Sequence, residues 1–313
     1  MAKGLREAWG SSEAEPELDE KKRRITGLHI LLTYRCIFEC DHCFVWSSPD
    51  SQGTMTLSFI KRILEEAEEA GINQIYFEGG EAFLYYPILV KAVEEAVDKN
   101  FWVGLTANCY WATSKEDALL WLAPFKGISR LELSGDPYHG KVEDTRYGVA
   151  AARELGIPVS IISIGPPSGP KEIEGVKVGY YDLMCKGRAV ELAPDLDKIP
   201  VEELNRCPSE DFNDPGRVHI DPYGWVFMCQ GITIGNINEK RLSDILKDYD
   251  PHHHSIIAPL MEGGPIKLVK RYSLPHEETY ADACELCYRS RLLLREEFPD
   301  ILAPDQVYGI SSN

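Results

Sequence analysis

The sequence predicts an α/β fold: a partial (β/α)6 barrel of mainly parallel strands, followed by a small C-terminal domain. Two features of the chain predict the barrel. From residue 27 to residue 184 short β-rich runs alternate with amphipathic helical stretches, the signature of strand–helix units. The strands read as near-continuous apolar runs, as in a parallel sheet covered by helices. A third feature predicts the appendage: after residue 190 the alternation stops and the chain becomes loop-rich. The expected boundaries are a charged lead-in over 1–24, a barrel over 25–195 and a second domain over 200–313.

Taken in order, GLHILLT (27–33) is the first strand. TLSFIKRILEEAEEAG (56–71) puts Ile60, Ile63, Leu64 and Ala67 on one helical face, with Gly71 as the stop signal. INQIYFEGGE (72–81) is a strand ending in glycines, 88–100 a helix, 101–108 a strand. Residues 114–125 read as a helix up to Pro124, 128–136 as a strand, 141–155 as a helix, 157–165 as a fifth strand and 176–184 as a sixth. Only GPPSGPKEIEG (165–175) joins the last two. Its tandem prolines exclude a helix, but an extended link spans roughly 33–36 Å, enough for a bare crossover. A hairpin that turns the sixth strand antiparallel is the alternative. Further on, RVHIDPYGWVFMC reads as a hairpin turned at Asp221-Pro222-Tyr223-Gly224.

The chain of 313 residues can bury a large core. No run approaches the 18 apolar residues of a membrane span, and the start has no apolar signal-peptide region. A cytoplasmic location is therefore expected. In that reducing setting the nine cysteines point to metal ligation or catalysis before disulfides. Net charge is −17, from 33 basic and 50 acidic residues, the wrong balance for a nucleic-acid partner. The basic run Lys21-Lys22-Arg23-Arg24 reads as a solvated flank of the first strand.

The chemistry begins at TYRCIFECDHCFVW (33–46), where Cys36, Cys40 and Cys43 are spaced three and then two residues apart. Thiolates suit zinc and iron–sulfur clusters. Structural zinc takes four closed ligands, whereas three thiolates without a local fourth fit a four-iron cluster with one open iron. His42 offers zinc a nitrogen, but between Asp41 and Cys43 its bite is cramped.

Cys36-x3-Cys40-x2-Cys43 after a first strand resembles the cluster motif of radical SAM enzymes. Further segments at successive strand ends are similar to that family in the same order. Gly79-Gly80-Glu81 resembles its GGE motif, Leu105-Thr106-Ala107-Asn108 its TTN segment, Ser134-Gly135-Asp136 its SxD segment, and Gly187-Arg188-Ala189 its GRA segment. The resemblance implies a [4Fe–4S] cluster on the three cysteines. It also implies S-adenosylmethionine (SAM) bound through Gly79, Gly80, Glu81, Thr106, Asn108, Ser134 and Asp136. His42 stands where members usually carry an adenine-contacting aromatic; an imidazole can stack as well.

Four more cysteines, Cys207, Cys229, Cys284 and Cys287, accompany Gly224-x4-Cys229, Ile234-Gly235-Asn236-Ile237 and Cys284-x2-Cys287. This pattern resembles the SPASM/twitch extension, in its shorter one-cluster form, and implies an auxiliary [4Fe–4S] cluster; four thiolates also fit zinc by spacing. Cys109 and Cys185 fall just past strand ends, as buried small side chains or as substrate contacts. Tyr138, His139 and Arg188 are further candidate substrate contacts, with loop packing the alternative for the first two and structural hydrogen bonding for Arg188, and His252-His253-His254 reads as a solvated loop.

Together these features imply reductive cleavage of SAM and hydrogen abstraction from a substrate, either a peptide or protein side chain or a small molecule. A low-potential donor such as ferredoxin or flavodoxin would supply the electron.

Overall fold

The computed structural model describes residues 25–139, 142–165 and 169–310. The charged lead-in over 1–24, with its basic run, and the tandem prolines at 166–167 lie outside the described residues.

The expected alternation is present. β1 (Gly27–Leu31), β2 (Gln74–Glu78), β3 (Trp102–Ala107), β4 (Arg130–Ser134) and β5 (Val159–Ile164) are separated by four helices. These are α1 (Leu57–Glu69), α2 (Tyr86–Asp98), α3 (Lys115–Leu122) and α4 (Val142–Glu154); the cysteine loop and α1 both lie between β1 and β2. Side-chain caps set two of the helix starts: the Thr56 hydroxyl accepts from Phe59 N–H at 3.2 Å and the Ser114 hydroxyl from Asp117 N–H at 3.0 Å. Gly71 adopts φ +78° just beyond α1, where a side chain would strain the turn.

Strand alternation sorts the barrel wall into two faces. Leu28 and Ile30, Ile75 and Phe77, Val103 and Leu105, Leu131 and Leu133 are all fully buried. They share one core with Ile60, Ile63 and Leu64 of α1 and Leu89 and Ala92 of α2. The opposite, inner face is polar. It carries His29, Tyr76, Glu78, Thr106, Glu132 and Ser134, with His29, Tyr76 and Gly104 as register neighbours. Gly104 is required there, because a Cβ would lie 2.3 Å from the Tyr76 ring.

The sixth barrel strand, β7 (Val176–Tyr181), pairs parallel with β5, so the link from residue 165 to 175 is a crossover. The link also contains a two-residue strand, β6 (Glu172–Ile173), which returns antiparallel on β7.

The C-terminal part adds three strands to the barrel's sheet. β8 (Ile199–Pro200) precedes β9 (Arg217–Ile220), β10 (Trp225–Cys229) and β11 (Ile232–Asn236). The hairpin at 221–224 forms, but β9 also pairs parallel with β1. The result is one ten-stranded sheet in the order β11-β10-β9-β1-β2-β3-β4-β5-β7-β6. The physical reason is the open edge of β1, whose unpaired backbone groups β9 satisfies. β6 and β11 are the edges, so the barrel is partial.

Three helices that the sequence reading did not assign complete the chain: α5 (Leu242–Asp248), α6 (Ile257–Tyr272) and α7 (Ala283–Leu294), with β12 (Thr279–Tyr280) pairing β8. The Asp282 carboxylate caps α7 by accepting from Glu285 N–H at 2.7 Å. α6 is kinked at Gly263-Gly264-Pro265, and Gly264 has φ +68°. A Cβ on Gly264 would come within 2.2 Å of Arg206 N, so this kink seats the chain just before Cys207. No helix among the described residues is long and apolar enough to cross a membrane.

Candidate functional site: two sets of thiols

The loop after β1 is held from several sides. Gly80 N–H donates to Thr33 O at 2.7 Å and Glu81 N–H to Arg35 O at 2.9 Å. A Cβ on Gly80 would lie 2.3 Å from Arg35 O, so the paired glycines let β2's exit press against the loop's backbone. Gly187, at φ +61°, does the same from the other side, with its Cα region against Phe44. Tyr34 donates to Asp221 Oδ2 at 2.9 Å, and Trp46 Nε1–H donates to Tyr288 Oη at 2.8 Å. The cysteine loop is thus fastened to β2, to the 187–191 turn, to the β9–β10 turn and to α7.

Within it, Cys36 and Cys40 are buried and Cys43 is partly buried. Cys36 Sγ accepts from Phe38 N–H at 3.4 Å and from Asn108 Nδ2 at 3.6 Å; Cys43 Sγ accepts from Ser47 N–H at 3.3 Å. Such N–H···S bonds suit electron-rich sulfur. Burial pushes the Cys36 and Cys40 thiols up to about 12, so as free side chains they hold their protons, and a metal must displace them.

Arg188 is spent on the loop. Its guanidinium donates to Cys40 O at 2.9 Å and Ser47 O at 2.7 Å, lies over the Trp46 ring at 5.3 Å, and its backbone N–H donates to Cys43 O at 2.8 Å. Of the two roles open to Arg188, these bonds supply the structural one: the loop carbonyls need a buried donor, and Arg188 is 6% exposed.

The other candidates divide similarly. Glu81 is buried, and its oxygens accept from Phe83 N–H at 3.0 Å and Asn108 N–H at 2.8 Å. It clasps the exits of β2 and β3 together. Burial raises its carboxyl to about 7, against the two N–H bonds. His42, Asp136, Tyr138 and His139 gather beside Cys40. Asp136 Oδ1 lies 2.7 Å from His139 Nδ1, the His42 and Tyr138 rings are 4.4 Å apart, and Tyr138 O accepts from Cys40 Sγ at 3.2 Å. His42 Nδ1 is buried without a hydrogen-bond partner. Thr106 and Ser134 end neighbouring strands on the inner face.

Cys109 is fully buried with its sulfur against the α4 glycine Gly148, in the outer apolar layer, so it is not at the barrel mouth. Its strand-end position was a misleading signal, because φ +62° turns it away from the strand's alternation. Cys185 is also buried, its N–H bonded to Asp282 Oδ2 at 2.9 Å at the start of α7. His254 is no solvated loop residue: its Nε2–H donates to Thr233 O at 2.9 Å, and Nδ1 accepts from Ile256 and Ile257 N–H, capping α6.

The second set converges fully. Cys207, Cys229, Cys284 and Cys287 line one pocket, together with Lys186 and Arg291. Cys229 ends β10, and Cys284 and Cys287 lie one turn apart on α7. Lys186 Nζ stands 3.9 Å from Cys229 Sγ and 3.3 Å from Ser209 Oγ. Burial opposes its charge, but the cysteines and Glu210 around it hold its pKa above the ordinary value. Arg291 is 2% exposed, donates to Gln230 O at 2.6 Å, and keeps a buried Nε without a partner. Sequence reasoning missed both cations. The available signals were Lys186 beside Cys185 and the four-residue step from Cys287 to Arg291, one helical turn.

Sulfur spacing separates a cluster from a single ion. Thiolates on one zinc, at about 2.3 Å each, lie roughly 3.8 Å apart. Sulfurs bound to different corners of a cluster lie further apart than that.

Comparison with known proteins bears on the barrel part of the chain. Residues 30–176 match the Radical SAM superfamily. YydG of Bacillus subtilis (strain 168), described as a peptide biosynthesis protein, is 33% identical over 113 residues, 35% of each chain. The PqqA peptide cyclase of Xanthomonas oryzae pv. oryzae (strain MAFF 311018) is 24% identical over 275 residues, covering 68% of this chain and 72% of the cyclase. A protein of Methanocella arvoryzae described as a GTP 3′,8-cyclase is 34% identical over 158 residues, 46% of this chain and 49% of that one. The chain thus spans about a third of YydG and about half of the GTP cyclase. With its thiol trio at the exit of the first strand, the chain carries a radical SAM domain over residues 30–176.

Proposed function

We propose that the chain is a peptide-modifying radical SAM enzyme with a second, auxiliary cluster in its C-terminal part. The observation that carries the reading is the pair of unlike thiol sets. One is a trio on a loop clamped at the barrel mouth, and the other is a closed quartet around a cavity lined by two cations. Cys36, Cys40 and Cys43 would hold a [4Fe–4S] cluster and leave one iron for SAM. When bound, that pair supplies one-electron cleavage of the sulfonium and a 5′-deoxyadenosyl radical.

The residues around it then have distinct tasks. Thr106, Ser134 and Asp136 present hydroxyl and carboxylate oxygens at the ends of β3 and β4, where a nucleoside would need partners. Gly79 and Gly80 keep the wall close to the loop, and Glu81 fixes the β2 and β3 exits, which also positions Asn108 against Cys36. His42 and Tyr138 form an aromatic surface for stacking. Cys207, Cys229, Cys284 and Cys287 would hold the auxiliary cluster, with no vacant position, in a role of moving an electron to or from the substrate radical. Ferredoxin or flavodoxin is the donor class proposed.

The peptide substrate is supported by the relatives named for peptide biosynthesis and peptide cyclisation. A small-molecule substrate is the second reading, favoured by the match to a protein described as a GTP cyclase.

Anaerobic reconstitution, then dithionite and SAM, tests the proposal. Two four-iron clusters give about eight irons per chain, with 5′-deoxyadenosine released. Zinc without iron, or iron without SAM cleavage, contradicts it. Deuterium transfer into 5′-deoxyadenosine from a labelled peptide, set against labelled GTP, separates the two substrate classes.

A further inference from the structure

The inner face of the barrel holds a group of side chains that neither thiol set uses. His29 on β1 and His219 on β9 are register neighbours across a parallel ladder, and Glu78 ends β2 on the other side of β1. The Glu78 carboxylate reaches both rings, with Oε2 3.1 Å from His29 Nδ1 and Oε1 3.1 Å from His219 Nδ1. One ligand atom from each of the three residues lies within 4.8 Å of the other two. The histidines are 4% and 3% exposed. Packing fixes both rings: His29 stacks on Tyr76 at 4.8 Å and His219 on Phe227 at 5.3 Å, 5° from parallel.

We propose that His29, Glu78 and His219 form a mononuclear site for a divalent transition metal, distinct from both sets of cysteines. Two imidazoles and one carboxylate on one side of an ion are a donor set of that class, and they leave further positions open. Cis donors about 2.1 Å from a six-coordinate ion stand about 3 Å apart, which matches both nitrogen–oxygen separations in this group. His219 Nε2, on the far side of the ring from Glu78, is buried with no partner. An ion bound between Glu78 and His219 would displace the proton that Nδ1 directs at the carboxylate, leaving the imidazole neutral with its proton on Nε2. Glu78 is the least buried of the three, its side chain 16% exposed, so solvent lies nearest the site on its side. The site rests on side-chain geometry and does not depend on SAM binding.

The test uses cluster-loaded protein dialysed anaerobically against buffered zinc, with zinc and iron counted in the same sample. One zinc per chain is expected with iron unchanged, and its X-ray absorption fine structure should show nitrogen and oxygen neighbours at about 2.0–2.2 Å. Glu78→Gln and His219→Gln should each weaken zinc affinity at least about tenfold, while Glu132→Gln, on the same inner face, retains it. Iron content and circular dichroism of each variant confirm that it is folded, and the wild-type spectrum reads the ligands without any substitution. No zinc bound at intact iron content, a sulfur shell at about 2.3 Å, or unchanged affinity in both variants would overturn the site.

Discussion

The two sets of thiols solve opposite problems with the same side chain. The trio at 36–43 lies on a loop at the end of a strand, and its sulfurs are met mainly by backbone N–H groups. Its one nearby buried cation, Arg188, bonds the loop's carbonyls. The quartet draws its cysteines from a loop, a strand end and a helix, and encloses them with Lys186 and Arg291. An open thiolate site admits a ligand, whereas a closed one with fixed positive charge stabilises a more reduced, more negative group. On the proposed reading, the first set would carry the chemistry and the second would transfer electrons.

The largest expected effect breaks that comparison at the open site. Cys40→Ala should lower 5′-deoxyadenosine formation by at least about 10³-fold, or about 4 kcal/mol, as read by chromatography under dithionite. At the closed site, Cys284→Ala should cost about four irons. It should leave SAM cleavage within a few-fold and abolish modified product, which mass spectrometry of the substrate would show. Arg188→Ala should cost about 3 kcal/mol of stability, because two buried carbonyls lose a charged donor; urea unfolding measures it.

A smaller effect comes from pH, through Glu132 on the inner face. Burial raises its carboxyl to about 7, opposed by Arg130 and assisted by Glu78. Ser160 bonds it at 3.4 Å, and Tyr76 and Tyr181 feel its charge. In the folded state the proton is retained while the unfolded chain loses it near 4.5, so this contribution falls as pH rises from about 4.5 to 7 and is flat above. Glu78 is held below the ordinary carboxylate range, so its contribution is constant over the same interval. Glu132→Gln should therefore flatten stability against pH by up to about 3 kcal/mol, measured by urea melts at pH 5 and 8. The smallest effect sharpens the comparison: Lys186→Met should lower the auxiliary reduction potential by on the order of 60 mV, a tenfold change for one electron.

Much of the barrel was legible because each strand and helix advertised its own period. Ile60, Ile63, Leu64 and Ala67 fell on one face as the sequence placed them, and all are buried. The C-terminal part was less legible. β9 reads as one arm of a local hairpin, and its pairing with β1 depends on an edge some 190 residues earlier, which no local pattern reports. α6 was hidden by its Gly263-Gly264-Pro265 kink. The cysteines were visible because spacing alone marks them. Arg188 and Glu81 were visible as motif members, but their partners are backbone groups, which carry no residue-type signal. His29, Glu78 and His219 were missed for a related reason: single polar residues inside apolar strands form a group only once three strands are laid side by side.

The most direct measurement is 5′-deoxyadenosine formed per chain by wild type, Cys40→Ala and Cys284→Ala, each reduced with dithionite in the presence of SAM. The account predicts release by wild type and by Cys284→Ala, and none by Cys40→Ala. Release by Cys40→Ala would contradict it.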